Sequence, residues 1–255
     1  MTGDSINNIS CVIIVKNAEK TIKNTLDSVK SFTDIILYSN NSTDKTNEIA
    51  KQYTNVRLIK GDFIGFGPTK NRAATFATND WIFSLDADEV LTQELIENLQ
   101  TIQLDNNNVY IINRTNFYKD TQVKYCWGND KIIRLYNKRV TAFTDKEVHE
   151  EVLKDNLHTD FIDGDMQHFP YSSISEFIIK ADRYSTLFAQ NNAGKKSSSP
   201  LKALLNAKYS FIKTYIFKQG FRDGYVGLVI AFSHMVTNFY KYIKLYELNK
   251  ELKDK

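Results

Sequence analysis

Apolar and polar residues follow two different periods along the first hundred positions, and the alternation between those periods predicts strands separated by helices. Residues 9–15 are almost continuously apolar, the pattern of a strand covered on both faces. Residues 20–32 carry Ile22, Leu26 and Val29 at helical spacing. A second strand follows at 34–39, then a helix at 44–53 with Ser42 or Thr43 as its cap, and a third strand at 56–59. A helix at 69–77 and a fourth strand at 81–85 complete the series. Strands and helices in this order indicate βαβ units and a mostly parallel sheet. Right-handed crossovers place the loops that follow the strands on one edge. Those loops hold Lys16 and Asn17, residues 39–44, and residues 86–89.

Beyond Leu104 the pattern changes. Residues 93–102 read as a helix capped by Thr92, whereas 109–113 and 131–136 read as strands with no helix between them. Residues 145–153 and 157–169 are short, mixed and acidic, which suggests an antiparallel region added over the edge that holds the loops. Ser173-Ile174-Ser175-Glu176 is a capping box opening a helix to about Gln190. Residues 191–200 read as a flexible linker, followed by helices at 201–219 and from Tyr225 to about Glu247. The expected division is an α/β region over 1–170, in halves 1–104 and 105–170, and a helical region over 171–255.

Composition adds two points. The chain has 255 residues, 42% hydrophobic and 25% charged, as an ordinary globular protein does. Cys11 and Cys126 make no disulfide framework, which favours a reducing compartment. The first ten residues are polar with no secretory signal, and no run of eighteen apolar residues suggests a membrane span. The net charge of +3 hides an asymmetry. Residues 1–182 hold 20 Lys+Arg against 26 Asp+Glu, and residues 183–255 hold 13 against 4. Between Arg183 and Arg222 there are eight basic residues and no acidic one, so an anionic partner is expected for the tail.

The chemistry concentrates at Asp86-Ala87-Asp88-Glu89, which closes the apolar run 81–85. Two carboxylates one residue apart at a strand end form a hard-oxygen site suited to Mg²⁺ or Mn²⁺ held together with substrate phosphates. Taken alone, the same residues equally serve as a turn and a helix start, with Glu89 and Glu94 near the positive end of the helix. Gly65-Phe66-Gly67-Pro68 lacks the spacing of a phosphate-binding glycine loop and reads as a turn that positions Lys70 and Arg72.

Four segments together shift the balance. Val12-Ile13-Ile14-Val15-Lys16-Asn17, Asn41-Ser42-Thr43-Asp44, Gly65 to Arg72, and Ser84-Leu85-Asp86-Ala87-Asp88-Glu89 resemble the family 2 inverting glycosyltransferases of the GT-A fold. Asp130-Lys131-Ile132-Ile133-Arg134-Leu135, Val148-His149-Glu150, His168-Phe169-Pro170-Tyr171, Arg183-Tyr184-Ser185 and Gly220-Phe221-Arg222-Asp223-Gly224 are similar to the lipopolysaccharide-core β-1,4-glucosyltransferase branch. The resemblance implies a GT-A type α/β fold with a C-terminal helical, basic and aromatic appendage. It also implies a nucleotide-sugar donor, with Val15, Asn17, Ser39 and Asp44 around the nucleoside and Lys70 and Arg72 approaching the nucleotide. Asp86 and Asp88 would then touch the ribose and the metal, and His168 would complete the metal shell. Relatives carry an acidic residue where this chain has Ser39, so a uracil base is less secure than the fold.

Inverting transfer needs one carboxylate to take the acceptor's proton, and Glu150 and Asp130 are the candidates. Asp130 equally suits an ion pair with Arg134. The resemblance further implies a hexose, glucose from UDP-glucose, moved onto inner-core heptose of a lipopolysaccharide or lipooligosaccharide. The place would be the cytoplasmic face of a bacterial inner membrane. Transfer onto another surface glycan is the rival activity, and an inactive lipid-surface adaptor the rival that is not an enzyme. In the tail, Lys202, Lys208, Lys213, Lys218 and Arg222 mix with Tyr209, Phe211, Tyr215, Phe217 and Phe221, which suits an anionic membrane surface. No nucleic-acid motif is present, so nucleic acid is not an expected partner.

Overall fold

The computed structural model describes residues 5–145 and 150–253. The chain divides into two compact units, Met1–Thr115 with Asn129–His168, and Asn116–Gly128 with Phe169–Lys255.

The first unit is built on a mixed sheet. Its strands are β1 (Ile9–Val15), β2 (Asp34–Ser39), β3 (Val56–Lys60), β4 (Trp81–Asp86), β5 (Glu89–Leu91), β6 (Asn108–Tyr118), β7 (Thr121–Gln122), β8 (Asn129–Asn137) and β9 (His158–Tyr171). They run in the order β3-β2-β1-β4-β8-β6-β9-β5, with β7 hairpinned onto the end of β6 in the second unit. β3, β2, β1 and β4 are parallel neighbours, whereas β8 meets β4 and β6, and β9 meets β5, antiparallel. The parallel block is the one the alternating pattern predicts, and the antiparallel part is the added region.

Both faces of the parallel block are covered, which is why β1 and β2 are buried at every position. On one face Ile13, Leu37 and Phe83 pack with Ile22 and Leu26 of α1 (Ile22–Ser28) and with Leu95 and Leu99 of α4 (Gln93–Thr101). On the other, Val12, Ile14, Ile36 and Ile82 pack with Ala73 and Ala74 of α3 (Phe66–Ala74) and with Phe143. The Thr92 hydroxyl caps α4 as expected, accepting from the Leu95 N–H.

Several elements depart from the expected bounds, three of them in ways that bear on the site. α2 is only Thr46–Ala50, because the Asp44 carboxylate takes the Thr46 N–H and hydroxyl, so neither Ser42 nor Thr43 caps it. α3 begins at Phe66, so residues 66–68 are its first turn; Gly65, at φ 103°, makes the entry and accepts from the Thr69 N–H. Glu89 lies on β5 and is fully buried, so it is not an exposed charge at a helix start.

The second unit is helical. α5 (Ile174–Asn192) is capped by Ser173, whose hydroxyl accepts from the Glu176 N–H. α5 and α6 (Pro200–Ile212) both pack along α7 (Gly224–Lys253), and α6 ends in a π-helical turn, Lys213–Phe217. The Asp223 carboxylate accepts from the backbone N–H groups of Lys124, Tyr125 and Cys126 at 2.8–3.2 Å, tying that loop to the start of α7. Both cysteines are free and buried. Among the described residues no helix is long and apolar enough to cross a membrane.

Candidate active site

Asp86 ends β4 opposite Ile14 of β1, and Val15 of β1 lies opposite Ser39 of β2. The C-terminal ends of three parallel strands therefore share one edge, where open α/β sheets hold ligands. At that edge the structure builds a chain of alternating charge within the first unit. Glu150 Oε1 lies 2.8 Å from Lys70 Nζ, which lies 3.0 Å from Asp86 Oδ1. Asp86 Oδ2 meets Arg134 at 2.8 Å, and the same guanidinium reaches Glu89 at 2.6 Å. Arg114 lies 3.3 Å from Glu89 and 2.7 Å from Asp130.

Local structure explains each placement. Lys70 is carried by α3, which is held to the segment bearing Glu150. Asn71 exchanges two side-chain hydrogen bonds with the Phe143 backbone, both at 2.9 Å. Gly67 lets the helix approach so closely that a β-carbon there would lie 1.9 Å from the Thr144 carbonyl oxygen. Arg72, two residues beyond Lys70, points elsewhere on the helix and is exposed outside the network. Arg114 and Asp130 face each other across β6 and β8, so Asp130 pairs with Arg114 and not with Arg134. Arg134 is four residues further along the same strand, too far for that contact.

Burial makes these pairs matter. Lys70 and Arg134 are each 4% exposed, and Glu89 is 0% exposed. Burial alone would raise the Asp86 carboxyl, but the adjacent Arg134 and Lys70 outweigh it and hold Asp86 far below the usual range. Glu89 goes the other way; burial, with Asp86 adding to it, pushes its carboxyl up against the pull of Arg134. Glu89, Arg114 and Arg134 are the residues that sequence reasoning did not place in the site. A signal was present, since Arg114 and Arg134 stand inside apolar strand runs, and a buried cation requires an acidic partner.

The loops after β1 and β2 interlock. Asn17, at φ 53°, accepts from the Thr43 N–H through its side chain at 2.8 Å and gives its own N–H to the Ser42 hydroxyl at 3.1 Å. The Ser39 hydroxyl is buried and bonds to Ser42 at 3.1 Å, and the Val15 carbonyl accepts from the Asn40 N–H. Asp44 bonds to Thr46 and to the Glu19 N–H, so its carboxylate organises the loop. Beside Ser39, the Asn40 side-chain oxygen is buried with no hydrogen-bond partner.

Asp88 and His168 stand together. β5 and β9 pair Glu89 with His168, which brings His168 Nε2 to 3.7 Å from Asp88 Oδ2. A carboxylate and an imidazole suit a divalent cation such as Mn²⁺. Asp86, in contrast, has one oxygen committed to each of two cations. Among the described residues no three His, Cys, Asp or Glu side chains gather as a preformed cage. A metal held by one or two protein groups and diphosphate oxygens needs none, so the donor set fits. His149 lies outside the described residues.

Comparison with known proteins identifies the family. Residues 10–153 match the family model described as glycosyl transferase family 2. An uncharacterised glycosyltransferase of Rickettsia typhi is 31% identical, over 94% of this chain and 87% of that protein. The lipopolysaccharide core biosynthesis glycosyltransferase LpsC of Rhizobium meliloti is 24% identical, over 94% of this chain and 92% of its own. Among solved structures, Staphylococcus aureus TarS in complex with UDP covers 96% of this chain and 91% of its own, at 13% identity and a TM-score of 0.48. With the family model spanning more than half of its length, this chain belongs to glycosyl transferase family 2.

Proposed function

We propose that this family 2 member is an inverting, GT-A type hexosyltransferase that moves glucose from UDP-glucose onto inner-core heptose of a lipopolysaccharide or lipooligosaccharide precursor. The observation that carries the reading is the placement of Asp86 and Asp88 at the shared edge of β1, β2 and β4, with Lys70 and Arg134 converging on Asp86 and Glu150 bonded to Lys70. The acceptor class is supported by the likeness to LpsC over nearly the whole of both chains. Transfer to another surface glycan is the alternative, since the Rickettsia relative carries no acceptor in its name.

In this reading the β1 and β2 loops hold the nucleoside between Val15, Asn17, Ser39 and Asp44. Asp86, oriented by its two cations, accepts from the ribose. Asp88 and His168 would hold Mg²⁺ or Mn²⁺, which when bound would offset the negative charge of the leaving diphosphate. Lys70 contributes positive charge on the same side. Glu150 takes the proton of the acceptor hydroxyl as that oxygen attacks the anomeric carbon and the bond to the diphosphate breaks. Asp130 is the second candidate for this step, because its carboxylate is 42% exposed against 16% for Glu150. The enzyme acts at the cytoplasmic surface of a membrane through its basic tail.

Transfer assays with UDP-, GDP-, CMP- and TDP-sugars and a heptose acceptor test the activity. The expected result is turnover with UDP-glucose that falls by roughly 10²–10⁴ in Glu150→Gln with donor affinity retained. Near-normal turnover in that variant would move the base to Asp130, and no turnover of any donor by the parent chain would remove the activity.

A further inference from the structure

The amphipathicity of α6 is inverted. Its buried stripe is small or polar. Ala203 and Ala207 are 0% and 6% exposed against α7, Ser210 accepts from the Asn238 side chain, and Thr214 beyond the helix bonds to His234 at 3.0 Å. Most of its large apolar residues point out, whereas Phe211 packs on Phe232 of α7. Leu201, Leu204, Leu205 and Tyr209 are 57–65% exposed, at the spacing of one helix face. A helix that only needed to pack on its own unit would turn leucines inward and leave alanines to water. The outward face therefore serves something other than the fold of this unit. Phe217, Phe221 and Tyr225, each at least 51% exposed, continue the apolar surface past the π-helical turn.

We infer that this face of α6 is the surface by which the chain lies on an anionic bilayer. The inference deepens the peripheral-membrane part of the proposed function by naming the element that enters the lipid. Charge selects the occupant. Lys202, Lys208, Lys213 and Lys218 are exposed among these residues, and no acidic residue occurs between Arg183 and Arg222. A second copy docking through the same face would set these cations against each other, whereas anionic head groups complement them. Lys208 lies within the apolar face itself, and its long aliphatic stem lets the ammonium reach the head groups while the leucines go deeper. A helix of this kind rests in the plane of the interface and does not span it.

Flotation of the full chain with phosphatidylcholine vesicles, with and without phosphatidylglycerol, tests the assignment. Recovery with the anionic vesicles alone is expected. Lys202→Glu/Lys208→Glu is expected to weaken that recovery by about tenfold or more, and Leu204→Ser/Leu205→Ser to abolish it. All four positions are exposed, so both variants are expected to keep the parent's melting temperature. Equal flotation of the leucine variant, or equal recovery with neutral vesicles, would overturn the inference. So would a lipid-free dimer in sedimentation that the leucine variant splits into monomers. Flotation requires no donor, so a chain that floats yet transfers no sugar keeps this surface and loses only the proposed activity.

Discussion

Glu89 is the residue that buried Arg134 and half-buried Arg114 share. It accepts from Arg134 and Arg114 on one oxygen and from the Asp86 N–H on the other. Removing it leaves Arg134, itself 4% exposed, with Asp86 as its sole ion-pair partner among the described residues. Loss of one partner from a buried network typically costs about 3–5 kcal/mol. Glu89→Ala is therefore expected to lower the unfolding free energy by about that amount, read from the urea midpoint at unchanged slope. A change below about 1 kcal/mol would mean that the pairs contribute little, as exposed ones do. The two carboxylates of the Asp-x-Asp-Glu motif nearest Arg134 thus hold the architecture of the edge, and the proposed metal site rests on Asp88.

The contact of α3 with Phe143 and Thr144 decides whether Lys70 and Glu150 meet. Gly67→Ala would press a methyl group against the Thr144 carbonyl oxygen. The expected outcome is a loss of roughly 1–3 kcal/mol in stability together with a fall in transfer activity, since α3 must retreat from Glu150. An unchanged melting temperature would contradict the close approach. Elements defined by local pattern were legible in the sequence. β1 and β2 follow apolar runs bounded by polar residues, and Thr92 and Ser173 act as the caps that their positions suggest. β5 and β7 were not, because two or three residues cannot display a period. The pairing of Asp130 with Arg114 was also hidden, since it depends on the register of β6 against β8, which no local pattern carries. The first turn of α3 was missed because Gly67 and Pro68 read as punctuation, although Pro is tolerated in the first turn of a helix.

The whole molecule should lose stability in acid in two stages. In the helical unit, burial first, then Lys218 and Lys241, lower the His234 pKa from 6.5 to about 4. The unfolded chain therefore binds this proton before the folded chain does, so the stability it contributes is full above pH 6.5 and is lost as pH falls towards 4. In the first unit, burial opposes but Ser10, the Thr78 N–H and Arg57 outweigh it, holding Asp34 below its usual 3.8. That contribution is present above the usual carboxylate value and is lost below it. Urea midpoints between pH 7 and pH 3 are expected to show both losses, the upper absent in His234→Gln and the lower reduced in Asp34→Asn. An upper loss that persists in His234→Gln would contradict the assignment.

The edge formed by β1, β2 and β4 is proposed to bind a nucleotide sugar with a divalent cation at Asp88. Calorimetric titration of UDP-glucose into the full chain, with and without Mn²⁺, beside Asp88→Asn, tests it most directly. Binding is expected to strengthen with Mn²⁺ in the parent chain and to lose that dependence in the variant. Binding of equal strength in both proteins with Mn²⁺ present would contradict it.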